Sequence, residues 1–85
     1  DYLLKQSLSS SQLHWTSGKA PAAEFDCAAK IRYRQHEETC HVRIQGDIAQ
    51  VSFDNPQRAI TPGQSIVFYD GQVCLGGGII DDYAA

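Results

Sequence analysis

Apolar positions along this chain recur at every second residue, the period of a half-buried strand, and not at the three-to-four spacing of a helix. In "CAAKIRYRQ" (residues 27–35), Cys27, Ala29, Ile31 and Tyr33 share one face, while Ala28, Lys30, Arg32 and Arg34 share the other. That is a strand with an apolar inner face and a basic outer face. "TCHVRIQ" (39–45) repeats the pattern, with Cys40, Val42 and Ile44 inward and His41, Arg43 and Gln45 outward. The polar "HEE" between them is short enough for a hairpin connection. "IAQVSF" (48–53) follows a Gly46–Asp47 turn and sends Ala49, Val51 and Phe53 inward, and "DNP" then breaks the strand at Pro56.

The second half of the chain reads the same way. Pro62–Gly63 suits the centre of a type II turn, because glycine takes the positive φ needed at its third position. "SIVFY" (65–69) and "QVCLGGGII" (72–80) are two strands joined by Asp70–Gly71, a strong hairpin signal. Upstream, "LHW" (13–15) is a strand or the end of a short turn at "SSSQ" (9–12), and "GKAPAAEF" (18–25) leads into the first basic strand. About six short strands with no amphipathic helix predict an all-β fold: a small closed antiparallel barrel, one domain over residues 1–85. Closure also removes exposed strand edges.

Composition adds limits. Apolar residues make up 42% and charged residues 20%, as in ordinary globular domains. No apolar run approaches the roughly 20 residues that span a bilayer. The start, "DYLLKQSLSSS", has no basic region followed by an apolar one, and the chain holds no Met at all. It reads as a piece of a longer cytoplasmic protein. Cys27, Cys40 and Cys74 form no CxxC, and His14, His36 and His41 are scattered, so no zinc spacing is present. Three reduced core thiols are expected, with a disulfide or metal role as the alternative.

Two stretches invite a chemical reading. The run Gly76–Gly78 lacks the Lys and Ser/Thr of a phosphate-binding loop and continues into Ile79–Ile80, which is strand-like. Glycine within a strand marks a bulge, a bend or a close backbone approach. Cys74 has no basic residue within ten positions to lower its pKa, so packing is expected rather than nucleophilic chemistry. Nothing fixes a Ser/His/Asp triad.

Charge distribution is more informative than the net charge of −3, which argues against a general nucleic-acid binder. Lys30, Arg32, Arg34 and Arg43 place four of the seven basic residues within 14 positions. Alternate residues on a strand face stand about 7 Å apart, so Lys30, Arg32 and Arg34 can follow a nucleic-acid backbone, with Arg43 beside them on the next strand. The competing reading is a solvated face neutralised by Glu37, Glu38 and neighbouring acids.

"RYRQ" followed by "TPGQSIVFYDGQVCLGGGII" resembles the C-terminal end of the bacterial tRNA-specific 2-thiouridylases, the MnmA/TrmU family, and "LHW" fits the same family. The resemblance covers roughly Leu4 to Ile80. It implies a barrel similar to those of translation factors. The full enzyme would carry an N-terminal ATP-pyrophosphatase-type domain that uses ATP with Mg, then a small central domain. It implies sulfur delivered as persulfide from a cysteine desulfurase through relay proteins, and 2-thiouridine made at the wobble position of tRNAs for Lys, Glu and Gln. None of the three cysteines sits in the family's catalytic motifs, so no catalytic residue, metal site or cofactor is expected in this chain. tRNA contact carries over to Arg32, Tyr33 and Gln64, with Lys30, Arg34 and Arg43 as possible added phosphate contacts. Alternation places Tyr33 with the core, and only a bulge or strand end would free it to stack. Gln64, a loop amide after a Pro–Gly turn, can donate and accept toward a base edge or ribose. The expectation is a monomeric barrel that binds the anticodon-arm region of tRNA and has no membrane partner. The rival expectations are a barrel that braces the catalytic domain or docks a sulfur-relay partner, and, more distantly, an autonomous enzyme built on Cys74.

Overall fold

The computed structural model describes residues 4–31, 37–58 and 60–84. Six strands make up the fold: β1 (Leu4–Trp15), β2 (Glu24–Lys30), β3 (Glu38–Gln45), β4 (Ile48–Arg58), β5 (Ser65–Asp70) and β6 (Val73–Ala84). All pairings are antiparallel, and the sheet closes on itself in the order β1-β4-β3-β2-β5-β6. β2, β3 and β4 form a meander, and β5 returns by a longer connection to lie beside β2, which is a Greek key. The all-β closed barrel expected from the pattern is therefore the fold.

Alternation sets the core where it is regular. On β3, Cys40 and Val42 are buried; on β4, Ala49, Val51 and Phe53 are buried. Leu8, Ala29, Ile31, Ile60, Ile66, Phe68 and Ile80 complete the interior, with Trp15, Phe25, Leu13, Ile44, Leu75 and Cys27 packed against it. Trp15 stacks on Phe68 at 5.6 Å and 18°, and Phe25 meets Trp15 edge-on at 6.0 Å.

Four elements depart from the expectation, each for a local backbone reason. β1 is one long strand through "SSSQ", which is not a turn. At Gln12 the backbone takes φ 52°, and the pairing with β6 shifts between Ser11 and His14. This bulge switches the inward set from Leu8 and Ser10 to Leu13 and Trp15. β4 does not stop at Pro56; it runs to Arg58, where it pairs only with β1 and so tolerates a residue without an N–H donor. The last hairpin turns at Gly71–Gln72, one residue later than expected, with Asp70 opposite Val73 and Gly71 at φ 61°. Finally, Cys74 is exposed, not a packed thiol. A register shift between Phe68 and Tyr69 leaves Leu75 as the extra residue of a bulge, so Leu75 takes the inward place.

Candidate functional site

The two ends of this barrel carry different charged residues, and both mix acids with bases. One end holds the start of β1, the ends of β2, β4 and β6 and the starts of β3 and β5. Lys5, Lys30 and Arg58 lie at strand termini here: Lys5 opposite Gln57, Arg58 opposite Leu4, and Lys30 opposite Val67. Glu37 and Glu38 stand at the same end, as do Asp54, which accepts from Thr39 at the start of β3, and Asp81 and Asp82 towards the end of β6. The chain leaves β2 through Ile31 at this end and re-enters β3 at Glu38. Arg32, Tyr33 and Arg34, three of the expected contact residues, lie outside the described residues. At the opposite end stand Glu24, Asp26, Asp47 and Asp70, with Lys19 and Arg43 as the bases.

Gln64 sits beside the Lys30 end, immediately before β5. Thr61 to Gln64 form the expected turn, with Gly63 at φ 93° and the Gln64 N–H donating to the Thr61 carbonyl at 3.2 Å. Two backbone bonds of 2.8 Å fasten the turn to buried Ile80: Gly63 N–H donates to its carbonyl, and its N–H donates to the Gln64 carbonyl. The Gln64 side-chain oxygen accepts from the Thr61 N–H at 3.2 Å. This modifies the expectation. The turn engages the amide oxygen, so any partner of Gln64 would meet the NH2 group as a donor. Half-buried and held by a rigid turn, it loses little side-chain freedom on binding.

Lys30 is half-buried, and its Nζ lies 5.8 Å from the Tyr69 ring centroid, a cation–π contact that steadies the side chain without neutralising it. Arg43 is placed differently from the expectation. The β2–β3 register sets it opposite Glu24, six residues from Lys30 along β2 and thus roughly 20 Å away at ~3.3 Å per residue. Its Nε lies 3.8 Å from a Glu24 carboxylate oxygen, so it belongs to the end opposite Lys30.

That end carries a feature the sequence reading missed. On the outer face of β2 and β3, His41 stands between two carboxylates, Nδ1 at 2.8 Å from Asp26 and Nε2 at 2.8 Å from Glu24. Both ring nitrogens donate when the ring is protonated, so the bond to Asp26 first, and that to Glu24 next, raise the His41 pKa. The same bond from His41, with Arg43 nearby, lowers that of Glu24. A raised histidine contributes stability below its ordinary value of 6.5 and loses it as pH rises through the folded-state pKa. The lowered Glu24 contributes above 4.5 and loses that as pH falls through its folded-state pKa. In an NMR titration of its Cε1 proton, His41 is expected to show a midpoint above 6.5. Asp26→Asn should lower that midpoint more than Glu24→Gln. A midpoint at or below the ordinary value rules the bridge out. The signal for this cluster was the alternation "EFD" facing "HVR", legible only once the strands are paired in register.

The glycine run is architectural. A Cβ built on Gly76 meets the His14 carbonyl, one on Gly77 meets the Ile66 carbonyl, and one on Gly78 lies 2.5 Å from Ser10 Oγ. Carbonyl oxygens crowd these glycines, and their partial negative charge disfavours phosphate. Among the described residues no group of three or more His, Cys, Asp or Glu is arranged to hold a metal ion. No helix of the described residues is long and apolar enough to cross a membrane.

With this geometry established, comparison with known proteins is decisive. The family model of the aminomethyltransferase beta-barrel domain matches residues 5–80. The chain belongs to that family. It is 58% identical over 79 residues to the tRNA-specific 2-thiouridylase MnmA of Francisella tularensis subsp. novicida (strain U112), covering 92% of this chain and 22% of the relative. The same values hold for the proteins of that name from F. tularensis subsp. tularensis (strain SCHU S4 / Schu 4) and subsp. holarctica (strain LVS). The chain thus spans about a fifth of the length of these curated relatives.

Proposed function

We propose that this barrel binds tRNA for an enzyme that makes 2-thiouridine at the wobble position of the tRNAs for Lys, Glu and Gln, and that it performs none of the chemistry itself. The observation that carries this reading is the 58% identity, across 92% of the chain, to proteins named tRNA-specific 2-thiouridylase. Lys30, Arg32 and Arg34 would meet phosphates, Tyr33 would stack on or pack beside the nucleic acid, and Gln64 would donate to a base or ribose oxygen. Arg43, tied to Glu24 at the far end, stands apart from this surface. ATP, Mg and the persulfide donors, a cysteine desulfurase and its relay proteins, act through other parts of the enzyme. The protein works as a cytoplasmic monomer.

The test is tRNA titration of the intact enzyme at several salt concentrations. Arg32→Ala is expected to cost ~1–3 kcal/mol of binding and to make the salt slope shallower by about 1. Gln64→Ala should weaken binding with the salt slope unchanged, because a neutral donor releases no counterion. Arg43→Ala should bind like the parent enzyme. Unchanged affinity and slope for Arg32→Ala, or a loss at Arg43→Ala equal to that at Arg32→Ala, would overturn the placement of the surface.

A further inference from the structure

Cys27 and Cys40 occupy directly opposed positions on β2 and β3, with their sulfurs 3.8 Å apart. Cys40 is buried, while Cys27 is half-buried and borders a surface cleft between Asp26, Thr39, Asp54 and Tyr69. Small oxidants therefore reach Cys27 first. We propose that Cys27 and Cys40 are a redox-active pair that closes reversibly into a cross-strand disulfide. The proposal does not depend on the tRNA-binding reading.

Two further observations support it. The sulfur–sulfur hydrogen bond with Cys40 lowers the Cys27 pKa, while the same bond and burial raise that of Cys40. Partial burial, and after it the nearby carboxylates of Asp26 and Asp70, oppose this at Cys27 without reversing it. The pair thus has an attacking thiolate and a protonated resolving thiol. Geometry then makes the bond labile. Opposed residues of an antiparallel pair hold their Cβ atoms ~4.5–5.5 Å apart, whereas a relaxed disulfide needs ~3.8 Å. Closing the bond pinches the strands together, and a strained disulfide is more easily reduced.

The chemistry balances with a peroxide as the two-electron oxidant. The Cys27 thiolate attacks one peroxide oxygen, breaks the O–O bond and releases hydroxide, becoming a sulfenic acid. The Cys40 sulfur attacks the Cys27 sulfur, forms S–S, and expels the sulfenic oxygen as water with the Cys40 proton. Overall, two thiols and one hydrogen peroxide give one disulfide and two waters. A thiol reductant reverses the bond by exchange.

Trypsin separates the two cysteines, placing Cys27 in residues 20–30 and Cys40 in residues 35–43. The intact protein is treated with hydrogen peroxide, its free thiols are blocked with N-ethylmaleimide, and it is digested without reductant. The expected result is a linked 20–30/35–43 species, lighter by two hydrogens than its parts, with loss of maleimide-reactive thiol at both positions. Dithiothreitol should restore both thiols. Cys74→Ala should leave the linked species intact, and Cys27→Ala should abolish it. If Cys27→Ala does not fold, the parent protein alone decides the matter. Recovery of peptide 35–43 as free, maleimide-reactive Cys40 after Cys27 has been oxidised would overturn the proposal, as would Cys27 linked to any other cysteine.

Discussion

Replacing Gly76 with alanine is expected to lower the melting temperature of the barrel by ~15–25 °C. The new Cβ would collide with the His14 carbonyl and lie 2.9 Å from both Cα and Cε3 of Trp15. Trp15 faces Gly76 directly across the β1–β6 ladder, and its ring lies flat on Phe68. The obstructing atoms are backbone, so they move only if the ladder opens. Gly76 also sits at φ 150°, a conformation that side chains rarely adopt. Overpacking of ~1–3 kcal/mol plus conformational strain of ~1–2 kcal/mol is a large part of the ~4–13 kcal/mol that a chain of this size holds. At ~4–8 °C per kcal/mol these costs correspond to a loss of ~8–40 °C, and the stated shift is the middle of that range. Thermal unfolding by circular dichroism checks it. A melting temperature close to the parent's would mean that β1 and β6 relax without cost.

The second large effect is at Phe68, which has no exposed surface and lies at the centre of the aromatic stack. Phe68→Ala should cost ~3–5 kcal/mol, because the strands around it are cross-linked by their ladders and collapse poorly into the cavity. Trp15, the chain's single tryptophan, rests on this ring and reports the change. Its fluorescence should shift to the red, and the denaturant midpoint should fall in proportion at unchanged slope. A loss below ~1 kcal/mol would show that Trp15 and Phe25 refill the space. Both substitutions would loosen the β5–β6 frame that holds the Gln64 turn through Ile80.

The candidate site was only partly legible in the sequence. The Pro62–Gly63 turn was readable because only glycine fits its third position comfortably, and the turn forms as expected. The role of the Gln64 oxygen was not, since its bond to Thr61 depends on the side-chain rotamer. Four bases within 14 positions looked like one ladder. Register decides otherwise for Arg43, because a hairpin folds the chain back and places residues distant along one strand at opposite ends of the pair. The His41 bridge and the Cys27–Cys40 opposition are both products of that same register.

Sequence alone determined the fold class, the inward faces of β3 and β4, and the architectural nature of Gly76–Gly78, because alternation and turn chemistry are local properties of the backbone. It also carried the family resemblance, since the turn and glycine motifs recur as a fixed order of residues. Tertiary structure decided everything that depends on which strand lies beside which. Two bulges, at Gln12 and Leu75, reversed the side-chain parity that a regular strand would keep, exposing Cys74 and turning Leu13, Trp15 and Leu75 inward. A bulge adds one residue to one strand only, and its cause is the fit to the partner strand, which no single stretch of sequence contains.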